Sequence, residues 1–283
     1  MHNLKKFSCI IALLCGFIPT IAGENNFGVW SEIGLEKELS AHWNIGMSTE
    51  YRAQEHDRWA IEANVGYKPC KYLKLGATYN FLYSHKPEER KEHYKDDIME
   101  PDNWNGYNLN EGYWSPRHRF SVDATGTVKV GGWLRISVRE RYQFTHRAKQ
   151  SFTQEKFRFA KAYDAEDNMT YELKEGYPEY EEEVKEHVSN NVLRSRLKLA
   201  YDKKKAKLCP FASVEFHNNL DKGQKMNLEK IRSSIGVEYK INKQNEISWA
   251  YLLNCNIHDD GEEGFARLHE RLHVIQLGYN HKF

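Results

Sequence analysis

The residues with chemistry to offer are charged, and they recur at every second position. Arg135, Arg139 and Arg141, then Arg194, Arg196 and Lys198, sit in segments whose alternate positions are apolar, with Arg119 and Arg232 in two further segments. Glu32, Glu36, Glu50 and Glu62 hold the matching positions of the early segments. Successive side chains of an extended chain point to opposite faces, so each set forms one row. A basic row opposed to an acidic one either pairs and fills the space between them or lines a narrow anion-selective passage. In a small closed sheet, whose interior side chains largely fill, pairing is the simpler outcome.

Catalytic chemistry is thinner. His118 with Ser121 and His217 with Ser213 are the nominees for a hydroxyl nucleophile and its base, the equipment of a lipid-modifying enzyme. A chain with 13 histidines offers such pairs by chance, so the expectation is a non-enzymatic protein with no catalytic residue. His269 and His273 share a strand face but stand about 13 Å apart, too far to hold one ion without partners. No Gly-rich phosphate loop, HExxH or paired-cysteine motif is present, and neither a metal nor a cofactor is expected.

The elements that must position these rows are strands. Alternation runs through Phe27 to Leu39, Trp43 to Arg52, Trp59 to Tyr67 and Leu73 to Tyr83, weakly through Arg119 to Val128, then clearly through Trp133 to Thr145. It returns at Leu193 to Tyr201, Leu208 to Phe216, Ile231 to Tyr239, Ile247 to Leu253 and the C-terminal stretch. That makes about eleven strands, an odd number where single-chain membrane barrels usually have an even one. Most approach the roughly 9 to 11 residues of a tilted membrane strand. Long connections fall at His85 to Ser115 and Arg147 to Ser189, medium ones at Asn218 to Met226 and Asn256 to Leu268. Sorting long links to one rim and short turns to the other is the habit of an outer-membrane barrel.

The N-terminus fits export. Lys5 and Lys6 precede an apolar run from Phe7 to Ile21 and the small residues Ala22 and Gly23, the layout of a cleavable signal peptide over residues 1–23. The run is shorter than the roughly 20 residues of a spanning helix. Without Lys5 and Lys6 the 41 basic residues become 39 against 40 acidic ones. A near-neutral chain has no global basic field to hold nucleic acid. Cys70, Cys209 and Cys255 remain after the signal, an odd and widely spaced set that makes no disulfide framework.

The chain ends HERLHVIQLGYNHKF, with Ile275, Leu277, Tyr279, His281 and Phe283 on one face. Gln276, Gly278, Tyr279 and Phe283 resemble the C-terminal assembly signal of bacterial outer-membrane barrels, His281 departing from it where an aromatic is expected. The whole mature chain further resembles the uncharacterised outer-membrane barrel family known as domain of unknown function 2490, common in Bacteroidota. The segments NNVLRSRLKLAYDKK, CPFASVEFHNNL and EKIRSSIGVEYKINKQNEISWAY carry that resemblance, with the C-terminal end and FGVWSEIGLEKELSAHWNIGMSTEYR. It implies location and architecture, and no catalytic residue.

In the first long connection Asp102, Asn103, Trp104, Asn105, Tyr107, Asn108, Asn110, Tyr113 and Trp114 mix aromatics with amides, as sugar-stacking surfaces do. In the second, Asp164, Glu166, Asp167 and the run Glu181 to Glu183 lack the spacing and glycine of a calcium loop and read as a solvated acidic face. The expectation is an all-β, antiparallel up-and-down transmembrane barrel of about 10–12 strands over residues 24–283, porin-like and monomeric. Its extracellular loops are 85–115 and 147–189, and its lumen is narrow or plugged. Outer-membrane lipid and, during biogenesis, the barrel assembly machinery are its expected partners, with a small anion or surface glycan as ligand. The alternative is an outer-membrane lipid-modifying enzyme.

Overall fold

A computed structural model describes residues 24–54, 57–95, 99–100, 103–163, 165–166, 168–220, 226–258 and 267–283. The expected signal peptide lies outside the described residues. The strands are β1 (Glu24–Glu38), β2 (Trp43–Ala53), β3 (Arg58–Cys70), β4 (Leu73–Lys86), β5 (Glu89–Tyr94), β6 (Trp104–Asn110), β7 (Tyr113–Val130) and β8 (Leu134–Arg147). There follow β9 (Gln150–Tyr163), β10 (Met169–Leu173), β11 (Glu179–Lys185), β12 (Val188–Tyr201), β13 (Leu208–Asn219), β14 (Asn227–Lys240), β15 (Asn245–His258) and β16 (Arg267–Lys282). They belong to two compact units, one made of the described residues within 24–83, 117–146 and 189–283, the other of those within 84–116 and 147–188.

The first unit is a closed barrel in the order β1-β16-β15-β14-β13-β12-β8-β7-β4-β3-β2. It has eleven strands, and the closing pair resolves the odd count. Strands that alternate in direction bring the first and last of an odd set together pointing the same way. Accordingly β1 pairs with β16 in parallel, from Glu24↔Glu270 to Glu36↔Lys282, while its other neighbour β2 is antiparallel. The expected wholly antiparallel barrel is corrected at this one seam. Short turns collect at the rim where the chain ends, and each is tied to the next. Lys68 N donates to His42 O, Thr127 N to Tyr72 O, Asp202 N to Trp133 O, and Phe283 N to Glu36 O at 2.9 Å. The β7–β8 turn needs Gly131 and Gly132, whose φ angles of 58° and 71° are left-handed at both central positions.

The faces follow the sequence alternation. Ile33, Met47, Ile61 and Leu277 point outward with 54%, 59%, 55% and 47% of their surface exposed. Aromatic pairs border this aliphatic zone on β2 and β3: Trp43 against Tyr67 at 4.7 Å near the turn rim, and Tyr51 against Trp59 at 4.5 Å farther along. Eight residues separate them on each strand, about 26 Å along it and roughly 20 Å once tilted. Inside, one flank holds an apolar cluster of Trp30, Ala200, Phe211, Ala250, Leu252 and Val274. The remaining interior is mostly charged and polar.

The second unit replaces the two expected long loops with structure. A sheet ordered β10-β9-β6-β5, with β11 also on β9, is assembled from both connections. Its aromatics stack on one another: Tyr107 on Phe157 at 4.6 Å, Trp104 on Phe159 at 5.4 Å, and Tyr113 on Phe152 at 5.0 Å. Trp104 Nε1 also donates to Glu92 Oε2 at 2.5 Å, which holds that carboxyl below its ordinary range. Glu181, in the acidic run, pairs with Lys156. Asp102, Asp164 and Asp167 lie outside the described residues.

Candidate functional site

The charged barrel interior gathers nearly all the residues singled out from the sequence. Strands β8, β12, β7 and β14 turn Arg139 and Arg141, Arg194, Arg196 and Lys198, Arg119, and Arg232 into one cavity of about 420 Å³. Glu32, Glu50 and Glu62 reach the same cavity from β1, β2 and β3. Arg135 lies nearer the rim, with Nη2 3.7 Å from Glu238 and Nη1 4.0 Å from Asp202. Glu36 lines a second cavity of about 340 Å³, accepts from Asn44 at 2.9 Å and lies 3.7 Å from Lys282. The two cavities share Glu32, Ser48, Glu62 and Ser248.

The basic and acidic rows do not pair with each other as expected. Each basic residue that has a carboxylate finds it close by in the strand order, because the cavity stands between the rows. Buried Glu215 on β13 receives Arg139 at 2.8 Å and Arg194 at 2.9 Å and 2.5 Å, with His217 Nε2 2.8 Å away. Asp123 on β7 takes Arg141 at 2.8 Å, and Glu238 on β14 takes Lys198 at 2.6 Å. On the acidic side Glu50 is occupied by Arg52 at 2.6 Å and Arg58 at 3.2 Å. Arg52 also sits over Trp30, its guanidinium carbon 3.5 Å from the ring centre, so the apolar flank and the charged network share a member.

Three cavity arginines have no carboxylate within 4 Å among the described residues, although Glu215 stands opposite Arg196 and Arg232 in the strand register. Arg119 donates only to Thr145 at 3.3 Å, and Arg232 to Asn254 at 2.6 Å. Arg196 lines the cavity with no hydrogen bond or ion pair to a described residue. Buried Nε atoms of Arg58 and Arg139 are also without an acceptor. Glu32 and Glu62 have no cation within salt-bridge distance among the described residues, Glu62 accepting instead from Asn80 at 3.0 Å.

The nominated nucleophile pairs are not brought together. His118 faces outward and bonds the Tyr79 hydroxyl at 2.9 Å, whereas Ser121 is buried on the inner face of the same strand. Ser213 and His217 both face inward, but Ser213 meets Ser234 at 2.7 Å and His217 meets Glu215. His273 bonds Tyr251 at 2.5 Å; the side chain of His269 lies outside the described residues. At the C-terminus Gln276 and Gly278 turn inward, Tyr279 and Phe283 outward. Tyr279 donates to Asn245 at 2.6 Å across the β15–β16 pair. A Cβ on Gly278 would lie 2.4 Å from Ser248 Oγ, so the glycine answers a close approach within the barrel.

A family model described as Protein of unknown function (DUF2490) matches residues 27–263. The chain belongs to this family. Among solved structures it is similar to the translocator domain of autotransporter NalP from Neisseria meningitidis, 8% identical, with a TM-score of 0.43 over 77% of this chain and 70% of that one. No curated protein matches it.

Sequence reasoning about this DUF2490 barrel missed the residues that neutralise its interior. Glu215 is the one acid on an inner face that otherwise holds Cys209, Phe211, Ser213 and His217, so no row announced it. Asp123 stood in the weakest strand, diluted by Ala124 and Gly126. Phase alone was the available signal, because each shares parity with the inward residues of its own strand.

Proposed function

We propose that this DUF2490 chain is an integral outer-membrane β-barrel whose lumen is narrowed by its own ion pairs to an internal polar cavity, and that it acts without catalysing a reaction. The observation that carries this reading is the inversion of an ordinary protein. Large apolar side chains dominate the outer surface of the barrel, where Glu140, bonded by Ser195, is an exception, and most charged side chains of the strands are enclosed. A water-soluble sheet gains nothing by exposing Ile33, Met47, Ile61 and Leu277 together, whereas hydrocarbon rewards each of them. Aromatic pairs at both edges of the aliphatic zone, roughly 20 Å apart along the barrel axis, approach the spacing of the girdles that flank the apolar band of about 25 Å in such barrels. No described helix is long and apolar enough to cross a membrane.

The interior argues for a restricted passage. Arg139, Arg194 and Glu215 are locked together in mid-barrel, beside the apolar cluster around Trp30 and Phe211. Expression with its own N-terminus in a Gram-negative host, followed by alkaline carbonate extraction of envelopes, tests the membrane claim. The chain is expected in the pellet with the outer-membrane fraction, and recovery in the soluble fraction without detergent overturns it. In planar bilayers the purified barrel is expected to conduct far less than an open porin.

A further inference from the structure

We propose that the basic cavity of the barrel is a binding site for a small phosphate ester carrying hydroxyl groups, of the sugar-phosphate class. The inference deepens the reading above and rests on it in taking the internal polar cavity as the barrel's functional space. Nine cationic side chains line the cavity against five carboxylates. Adding Asp123, which holds Arg141 from just outside the lining, still leaves three positive charges in excess. Arg119, Arg196 and Arg232 are the three with no carboxylate within 4 Å among the described residues; Glu32 and Glu62 offset two of them, and the rest of the excess sits where Glu50 and Glu215 each hold two cations. Like charges confined at low dielectric repel unless an anion joins them, and two unsatisfied buried guanidinium Nε atoms, on Arg58 and Arg139, add donors without acceptors.

Guanidinium groups favour planar or tetrahedral oxyanions, which they grip with paired hydrogen bonds. A bare phosphate would use only part of a space of about 420 Å³, which is in the range that holds an organic ligand. The rest of the site points to hydroxyls. In the strand order β1 and β3 stand across the barrel from β12, and from there Glu32 and Glu62 offer carboxylates with no cation of their own. Anionic acceptors facing a basic wall suit a molecule with phosphate at one end and hydroxyl donors at the other.

Calorimetric titration of the purified full chain in detergent at low ionic strength, with glucose 6-phosphate, inorganic phosphate and glucose as probes, tests this. Glucose 6-phosphate is expected to bind about tenfold or more tightly than inorganic phosphate, glucose not at all, and Glu62→Gln to reduce that preference. Arg119→Ala and Arg196→Ala should each weaken the ester about tenfold or more, while Arg90→Ala in the second unit leaves it unchanged. Because Arg196 makes no hydrogen bond or close ion pair to a described residue and stands among Arg139, Arg141 and Arg194, its alanine variant should melt at the same or a higher temperature when no ligand is present. A purely structural arginine would show the reverse. No binding of glucose 6-phosphate, equal affinity for inorganic phosphate, or affinity indifferent to both arginine changes overturns the proposal, and none of these bears on whether the chain partitions into membranes.

Discussion

At the scale of single residues the interior is organised by Glu215, a side chain that alternation alone did not single out. It is buried, accepts from Arg139 and Arg194, and has His217 beside it. Removing one member of a buried ionic cluster leaves the others charged and unpaired, which costs more than the pair itself contributes. Glu215→Gln is therefore expected to cost about 3–5 kcal/mol, read as a lower midpoint of thermal unfolding in detergent. Adding Arg139→Met to Glu215→Gln should recover part of that loss, since it withdraws one of the stranded cations. If the double variant unfolds at the same midpoint as the single one, the charge account of this cluster is wrong. The rows of arginines were legible because each repeats at period two within its strand. Their partners were not, because pairing across strands depends on register, which a sequence does not print.

Among elements, strands with one apolar face declared themselves and strands with two polar faces did not. β2, β3 and β4 fall where alternation put them, because a one-residue slip would turn every apolar side chain inward. β11 reads Glu179–Lys185 with charge on both faces, and β9 changes phase between Phe152 and Phe157, so the second unit passed for loop. The same register logic separates two inward glycines of the barrel. A Cβ on Gly236 would meet Trp249 O at 2.4 Å and Ala250 Cβ at 2.7 Å, backbone and near-backbone atoms that cannot step aside. On Gly278 it would meet Ser248 Oγ, a hydroxyl free to rotate. Gly236→Ala should accordingly cost about 1–3 kcal/mol and Gly278→Ala much less, with Ser248→Ala erasing the smaller cost. Equal losses in thermal midpoint for the two glycine variants would show that the β14–β15 pair yields more readily than its spacing allows.

For the whole molecule, the question is how an odd number of strands closes without leaving an edge. Two unpaired edges would present a row of free backbone donors and acceptors, intolerable in hydrocarbon and a template for aggregation in water. The barrel removes both by laying β1 against β16 in parallel, and Phe283 N adds a bond to Glu36 O at the end of the seam. Eleven strands were countable from the alternation; the direction of the seam was not, since parity fixes it only once the count is firm. Parallel pairing makes a demand that no antiparallel closure meets. Val29 lies opposite Ile275 and, six residues on, Leu35 lies opposite His281, so the offset between partners stays constant along the seam. Adjacent strands are about 4.8 Å apart, within disulfide reach. In a chain whose exposed Cys70 is replaced by serine, Val29→Cys with Ile275→Cys and Leu35→Cys with His281→Cys should each cross-link on oxidation, giving a species of altered mobility that reductant reverses. An antiparallel seam that joined the first pair would carry Leu35 away from His281. Cross-linking of the first pair without the second would therefore mean that the barrel closes in another way.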